Sequence, residues 1–261
     1  MKKAKNCIFL LTRGYKYGSL RNYKYLIQRN RLIRKFLNSP SAGIGGWENF
    51  ELVVFHEGNI SYLHQVILEL LSFKRLRFID IHDDFRLLNT NVWTGQSEMP
   101  LEYSLMCQFH YFHVWEYLKS YEIVCRIDED ILVTDFPSLT GAFDFIAGSV
   151  FPETHQLTNE TLPKFLSETN DEQYYDHNFP LTNFYVTKPK LWLGPEITAF
   201  LRRIVNSENS ADYRWGDIPI LGVALHKFMG WNIEIGIDSN IQYFHGRHNS
   251  WVRHGVQLDS N

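Results

Sequence analysis

The chain has 261 residues, 44% of them hydrophobic and 15% aromatic, with a formal net charge of −3. That apolar content is enough for a full core at the usual size of one domain, and the near-neutral charge gives no electrostatic footprint for nucleic acid. Three cysteines, Cys7, Cys107 and Cys125, with no C-x-x-C spacing, argue against a disulfide framework or a zinc site.

The first element is the apolar run Cys7–Thr12, which reads as a strand covered on both faces and ends in Arg13-Gly14. Residues 1–47 carry eleven Lys and Arg and no acid. Such a basic segment reads first as a solvated helix face and leaves peripheral contact with an anionic membrane surface open. Leu20, Tyr23, Ile27, Leu32 and Phe36 recur at helical spacing, and Pro40, Gly43, Gly45 and Gly46 mark a loop. A strand follows at Phe50–Phe55, then a helix capped by Ser61 and running to Leu71, and a strand at Leu76–Ile81. This β-α-β-α-β order predicts an α/β fold with a mostly parallel central sheet. Leu101 to Leu118 reads as a helix feeding a strand that ends at Asp128. The later pattern is less regular: a strand over Phe145–Val150, a helix over Thr161–Thr169, a strand over Asn183–Thr187, and helices over Pro195–Val205 and from Asp217 to Phe228. Two short strands, Ile233–Ile237 and Ile241–Phe244, close the chain. Its longest early apolar run is too short for a signal or membrane segment, so the chain reads as cytoplasmic.

Chemistry concentrates where Asp128-Glu129-Asp130 follows the apolar strand. In extended backbone Asp128 and Asp130 point the same way, roughly 7 Å apart, and both could reach one Mg²⁺ or Mn²⁺ ion holding a diphosphate. A solvated acidic turn is the alternative. In open α/β sheets, ligands bind beyond the carboxyl ends of strands, where this triplet falls.

Several stretches between about residues 100 and 250 resemble the glycolipid/glycoprotein α-1,2-mannosyltransferase family of fungal secretory pathways, which has a GT-A-type fold. Met106-Cys107-Gln108-Phe109 is similar to its Met-Cys-Arg-Phe, Arg126-Ile127-Asp128-Glu129-Asp130 to Arg-Val-Glu-Pro-Asp, and Thr182-Asn183-Phe184-Tyr185 to Ser-Asn-Phe-Glu. Arg214-Trp215-Gly216-Asp217-Ile218-Pro219 is similar to Arg-Trp-Gly-Asp-Ala-Pro, and Tyr243-Phe244-His245 to the end of Gly-Tyr-x-His. The resemblance implies a single GT-A-like domain over 1–261, with a nucleotide-binding half (1–130), an acceptor-binding half (131–261), and a smaller antiparallel element in the latter. It further implies a metal-dependent, retaining transfer of mannose from GDP-mannose to a hydroxyl of a glycan or glycoconjugate, with Mn²⁺ or Mg²⁺ held by Asp128, Asp130 and His245. Thr12, Arg13, Arg126 and Asp128 would meet the nucleotide sugar. Arg214, Trp215 and Asp217 would meet the acceptor, Trp215 by stacking. Asp217 also has the spacing of a helix N-cap.

The chain departs from the family at Tyr185, where the resembling enzymes carry Glu. A phenol titrating near 10 replaces a carboxylate poorly at neutral pH, so front-face attack steadied by Asn183 and Tyr185 is expected instead of a covalent intermediate. Two other readings stay open: a glycoside hydrolase using Asp128, Asp130 or Asp217 as a carboxylate pair, and a catalytically inactive sugar- or nucleotide-sugar-binding module.

Overall fold

In the computed structural model, the described residues are 6–12, 27, 50–72, 76–87, 101–129, 131–135, 143–207, 209–232, 236–237, 241–247 and 250–254. The expected loop around Pro40–Gly46 and all of the expected 20–36 helix except Ile27 lie outside them. The strands are β1 (Asn6–Leu11), β2 (Phe50–His56), β3 (Leu76–Asp80), β4 (Ile123–Ile127), β5 (Ile131–Asp135), β6 (Phe145–Ala147), β7 (Val150–Pro152), β8 (Asn178–Pro180), β9 (Phe184–Thr187), β10 (Gln242–Arg247) and β11 (Ser250–His254).

The central sheet has the order β3-β2-β1-β4-β9-β6. Neighbours among β3, β2, β1 and β4 pair in parallel, β9 runs against β4, and β6 runs against β9. This is the mostly parallel α/β architecture expected, and a second, antiparallel sheet of order β11-β10-β5 supplies the smaller element. Period-two alternation divides the core between the two faces of the central sheet. Cys7, Phe9, Val53, Phe55 and Val124 join one cluster, and Ile8, Leu10, Leu52, Val54 and Cys125 join the other. Both faces are covered, so these strands read as unbroken apolar runs.

Helix starts follow local chemistry. The backbone N–H of His64 donates to Ser61 Oγ at 3.4 Å, capping the Tyr62–Ser72 helix as its sequence predicts. The helix predicted over Leu101–Leu118 is continuous in direction but changes type. It is α-helical over Leu101–Gln108, widens to a π turn over Phe109–His113, and returns to α over Val114–Leu118.

Three predicted elements differ. The expected Phe145–Val150 strand divides, because β6 ends at Ala147 and β7 leaves to pair with β8. Gly148 sits at the break, pressed so closely that a Cβ would fall 2.7 Å from the Tyr243 ring. The helix predicted from Thr161 begins at Gln156 and carries Pro163 in its interior, whereas Pro is expected in a first turn. Of the predicted Ile233–Ile237 strand, only Gly236 and Ile237 are described, and Ile237 makes an isolated bridge to Ala147.

Candidate active site

Alternation along β4 sets up the site. Val124 faces the cluster that holds Phe9 and Phe55, so Arg126, two residues on, must enter the same layer, where it is 2% exposed. A buried guanidinium needs counter-charges. Arg126 Nε donates to Asp128 Oδ1 at 3.1 Å, Nη2 stands 3.0 Å from the same oxygen, and Nη1 donates to Asp217 Oδ2. Asp128 follows the strand, shares the parity of Arg126, and is tied to the turn before β9 by its N–H donating to the Asn183 carbonyl at 3.0 Å.

Asp217 arrives from the other side of the layer on the Asp217–Met229 helix. Gly216 occupies the cap position with extended backbone, and Asp217 is the first helical residue and makes no capping bond. The predicted N-cap role is therefore corrected: Arg126 takes up this carboxylate instead. The helix seats directly on β8, because any Cβ at Gly222 would fall 2.0 Å from the Phe179 ring, so only glycine permits this approach. Burial pushes the Asp217 pKa up, but the Arg126 guanidinium, helped by a hydrogen bond from Thr182, outweighs it and leaves the group below its ordinary value. The buried Cys107 thiol also donates to Asp217 Oδ1 at 3.7 Å.

These groups line a cavity of about 600 Å³, the size of a site for a small ligand. Thr12 is at its β1 edge, its hydroxyl donating to the Phe55 carbonyl at 3.2 Å. Arg126, Asp128, Asn183, Arg214 and Asp217 line it as well. The backbone of Arg214 has φ +56°, uncommon for a residue with a Cβ, and Thr158 Oγ1 donates to its carbonyl at 3.1 Å.

Two predicted site residues lie elsewhere. Trp215 is buried, packs on Phe165 with ring centroids 4.8 Å apart, and donates from Nε1 to Thr161 Oγ1 at 2.9 Å. Its face is therefore turned into the core and not to an acceptor. Tyr185 is also fully buried, stacked on Phe145 at 5.0 Å, and does not line the cavity. It meets the site only through Arg126, its cross-strand neighbour, whose guanidinium is 5.9 Å from the ring centre. Burial keeps the phenol protonated by raising its pKa. Arg126, expected to meet the nucleotide sugar, lines the cavity with its guanidinium held between the carboxylates of Asp128 and Asp217.

Arg13 and Asp130 lie outside the described residues, as does the side chain of His245. The backbone of His245 is described, in β10 and in register with Ile131 of β5. Ile131 N–H in turn donates to the Asp128 carbonyl at 3.0 Å. Asp128 thus stands between β4 and β5, and the backbone of His245 lies on β10, the strand that pairs with β5.

The cavity also contains residues that the sequence did not single out, among them Tyr103, His110, Glu102, Glu153 and His155, together with Glu57, the polar residue just beyond β2. His110 is 2% exposed and stands on the π turn, a local widening frequent at functional sites. Burial and then Arg126 hold its pKa well down, against a smaller pull from Asp217, so its imidazole is neutral. In sequence His110 is one polar residue in an aromatic helix, and only the π turn aims it at the cavity wall. Glu57 has its pKa raised by burial and by Glu102.

No protein-family model matches this chain, and no curated protein matches it. Solved structures do match it. Core-mannan synthase A (CmsA/Ktr4) of Aspergillus fumigatus, in a Mn/GDP form, is similar with a TM-score of 0.65 at 12% identity, over 96% of this chain and 76% of that one. The mannosyltransferase Ktr4p of S. cerevisiae gives a TM-score of 0.68 at 16% identity, over 93% of this chain and 70% of that one. Its complex with GDP gives 0.69 at 13%, over 93% and 71%. At such identities the likeness establishes the fold, and this chain has the GT-A-type fold that its sequence predicts.

Proposed function

We propose that the chain is a metal-dependent, retaining glycosyltransferase that moves mannose from GDP-mannose to a hydroxyl of a glycan or glycoconjugate acceptor. One observation carries most of this reading: the cavity opens at the carboxyl ends of β1 and β4, with Asp128 in its wall, in a fold shared with fungal mannosyltransferases. Carboxyl ends of parallel strands are where such sheets bind ligands.

Asp128, Asp130 and His245 would hold Mn²⁺ or Mg²⁺. Asp128 has a side chain 34% exposed at the cavity, and His245 sits on the strand in register with Ile131. A mixed oxygen and nitrogen set with open positions suits Mn²⁺. Among the described residues no group of three such side chains is complete, because two of the three proposed ligands fall outside them. A bound divalent ion would offset the charge that builds on a departing diphosphate.

The rest is assigned to the chain's own side chains. Arg126 fixes Asp128 and Asp217 relative to one another through its two edges. Asp217, held ionised, orients an acceptor hydroxyl and is too weak a base to take its proton fully. With a buried Tyr185 where a carboxylate would have to stand, attack occurs from the face the diphosphate leaves, and the acceptor proton passes to the departing phosphate oxygen. Thr12 and the 1–130 half border the nucleotide, and Arg214 and the 131–261 half border the acceptor. The glycoside-hydrolase alternative loses Asp217 as its protonated acid, since Arg126 keeps that group charged.

Thermal unfolding with a panel of nucleotide sugars, each with and without Mn²⁺, tests the reading. GDP-mannose with Mn²⁺ should raise the transition by mass action, about 2.7 kcal/mol at a hundredfold excess over Kd, and a chelator should abolish the effect. A panel in which no nucleotide sugar shifts the transition, or in which the shift ignores metal, would overturn it.

A further inference from the structure

Asn183 lies between β8 and β9 at the cavity wall, beside Asp128 through their backbone bond. Its side chain is held from a third element, because Tyr243 of β10 donates its hydroxyl to Asn183 Oδ1 at 3.0 Å. An amide accepts at one end and donates at the other. With Oδ1 engaged, Nδ2 is left shut off from water with no partner among the described residues. Native folds leave few buried donors unmet, and each needs a reason. A ligand oxygen reaching the cavity wall supplies one here.

Tyr243 is fixed by more than its hydroxyl. The ring is fully buried and stacked on Phe184, with centroids 5.4 Å apart and planes at 22°. Gly148 is needed where it passes. Its strand pairs with β5, Tyr243 against Val133 and His245 against Ile131, so the strand that carries His245 also sets the Asn183 amide.

We infer that Tyr243 is a positioning residue of the active site: it holds the Asn183 amide so that Nδ2 donates a hydrogen bond to a neutral hydroxyl of the donor sugar, an inference that rests on the transferase reading above. An uncharged donor suits a hydroxyl in a wall that also contains Asp128, Glu129 and Glu57. Carboxylates there accept hydrogen bonds, and Asn183 Nδ2 contributes a donor of fixed direction.

The test compares wild type with Tyr243→Phe, Asn183→Asp and Asn183→Ala. Each is measured for kcat and KM with GDP-mannose and for thermal stabilisation by GDP and by GDP-mannose, all with Mn²⁺. Asn183→Asp keeps an acceptor for Tyr243 and loses the donor, so its kcat/KM should fall about tenfold or more, as far as that of Asn183→Ala. Tyr243→Phe keeps the donor and frees its direction, and should lose less, mainly in kcat. All three should retain stabilisation by GDP. Wild-type turnover in Asn183→Asp, or unchanged kcat in Tyr243→Phe, would overturn the inference. Equal losses of GDP and GDP-mannose binding would also overturn it by moving the contact to phosphate. A wild-type protein with neither turnover nor stabilisation would instead remove the transferase reading itself, and the inference with it.

Discussion

One face of the central sheet carries Ile8, Leu10, Leu52, Val54, Cys125, Ile127, Phe184 and Val186, and holds no buried ion pair among the described residues. The opposite face carries Phe9, Phe55 and Val124 and then, at the next alternate position of β4, Arg126 with Asp128 and Asp217 around it. Replacing buried ion pairs by apolar groups of similar volume is often neutral or stabilising, so stability gives little reason for charge on this second face. The difference therefore separates a face built for cohesion from one whose polar groups answer to the cavity.

Breaking the ion pair from one side gives the largest expected effect. Arg126→Met would leave Asp217 buried without its counter-ion and should cost about 3–5 kcal/mol in urea denaturation, with loss of Mn²⁺-dependent stabilisation by GDP-mannose. Adding Asp217→Leu should recover most of the stability and none of the ligand response. On the cohesive face, Leu52→Ala should cost about 2–5 kcal/mol through its cavity, while the protein that remains folded keeps its full response. If Arg126→Met were no worse than a surface substitution, or if the double variant stayed as unstable as the single one, the contrast between the faces would fail.

Acid sharpens the same contrast. The Asp217 pKa is lowered on folding, because Arg126 and its other partners overcome burial. A carboxyl group lowered in this way contributes stability above its unfolded value of about 3.9 and loses it as pH falls through the folded value. Urea midpoints should thus drop as pH falls below about 4, and the slope in that window should be shallower in Asp217→Asn. Asp171, lowered despite burial by Lys227 and Thr169, has the same sign and leaves a residual slope in that variant. An identical profile for wild type and Asp217→Asn would show that the Arg126 pair does not govern acid stability.

What could be read in advance depended on how local each signal was. β1, β2, β3 and β4 announce themselves as apolar runs, and the Pro195–Val205 helix as a proline start followed by an amphipathic face. Asp128, Asn183 and Asp217 could be picked out by letter. What they touch could not, because Arg126 meets Asp217 across 91 positions and Tyr243 meets Asn183 across 60. The π turn that aims His110, and the loss of strand pairing at Gly148, follow from packing between distant elements, which no short window contains. The side-chain directions of Trp215 and Tyr185 are likewise tertiary outcomes: Trp215 turns to Thr161 and Phe165, and Tyr185 to Phe145 and Phe9.

Trp215 offers the smallest and most discriminating prediction, because its sequence context places it beside the catalytic candidate Asp217 and its side chain belongs to the core. Trp215→Phe keeps an aromatic ring against Phe165 and deletes the Nε1 bond to Thr161. The expected cost is about 1–2 kcal/mol in unfolding free energy, from one hydrogen bond and a modest loss of volume. Because the ring does not line the cavity, KM for a glycan acceptor should stay within about twofold of wild type once the folded fraction is equalised. A severalfold rise in acceptor KM with unchanged stability would place the indole face in the cleft. Residues adjacent in the Arg214-Trp215-Gly216-Asp217 stretch would then act on one substrate together, instead of dividing, as their burial and contacts indicate, between the cavity and the core that supports it.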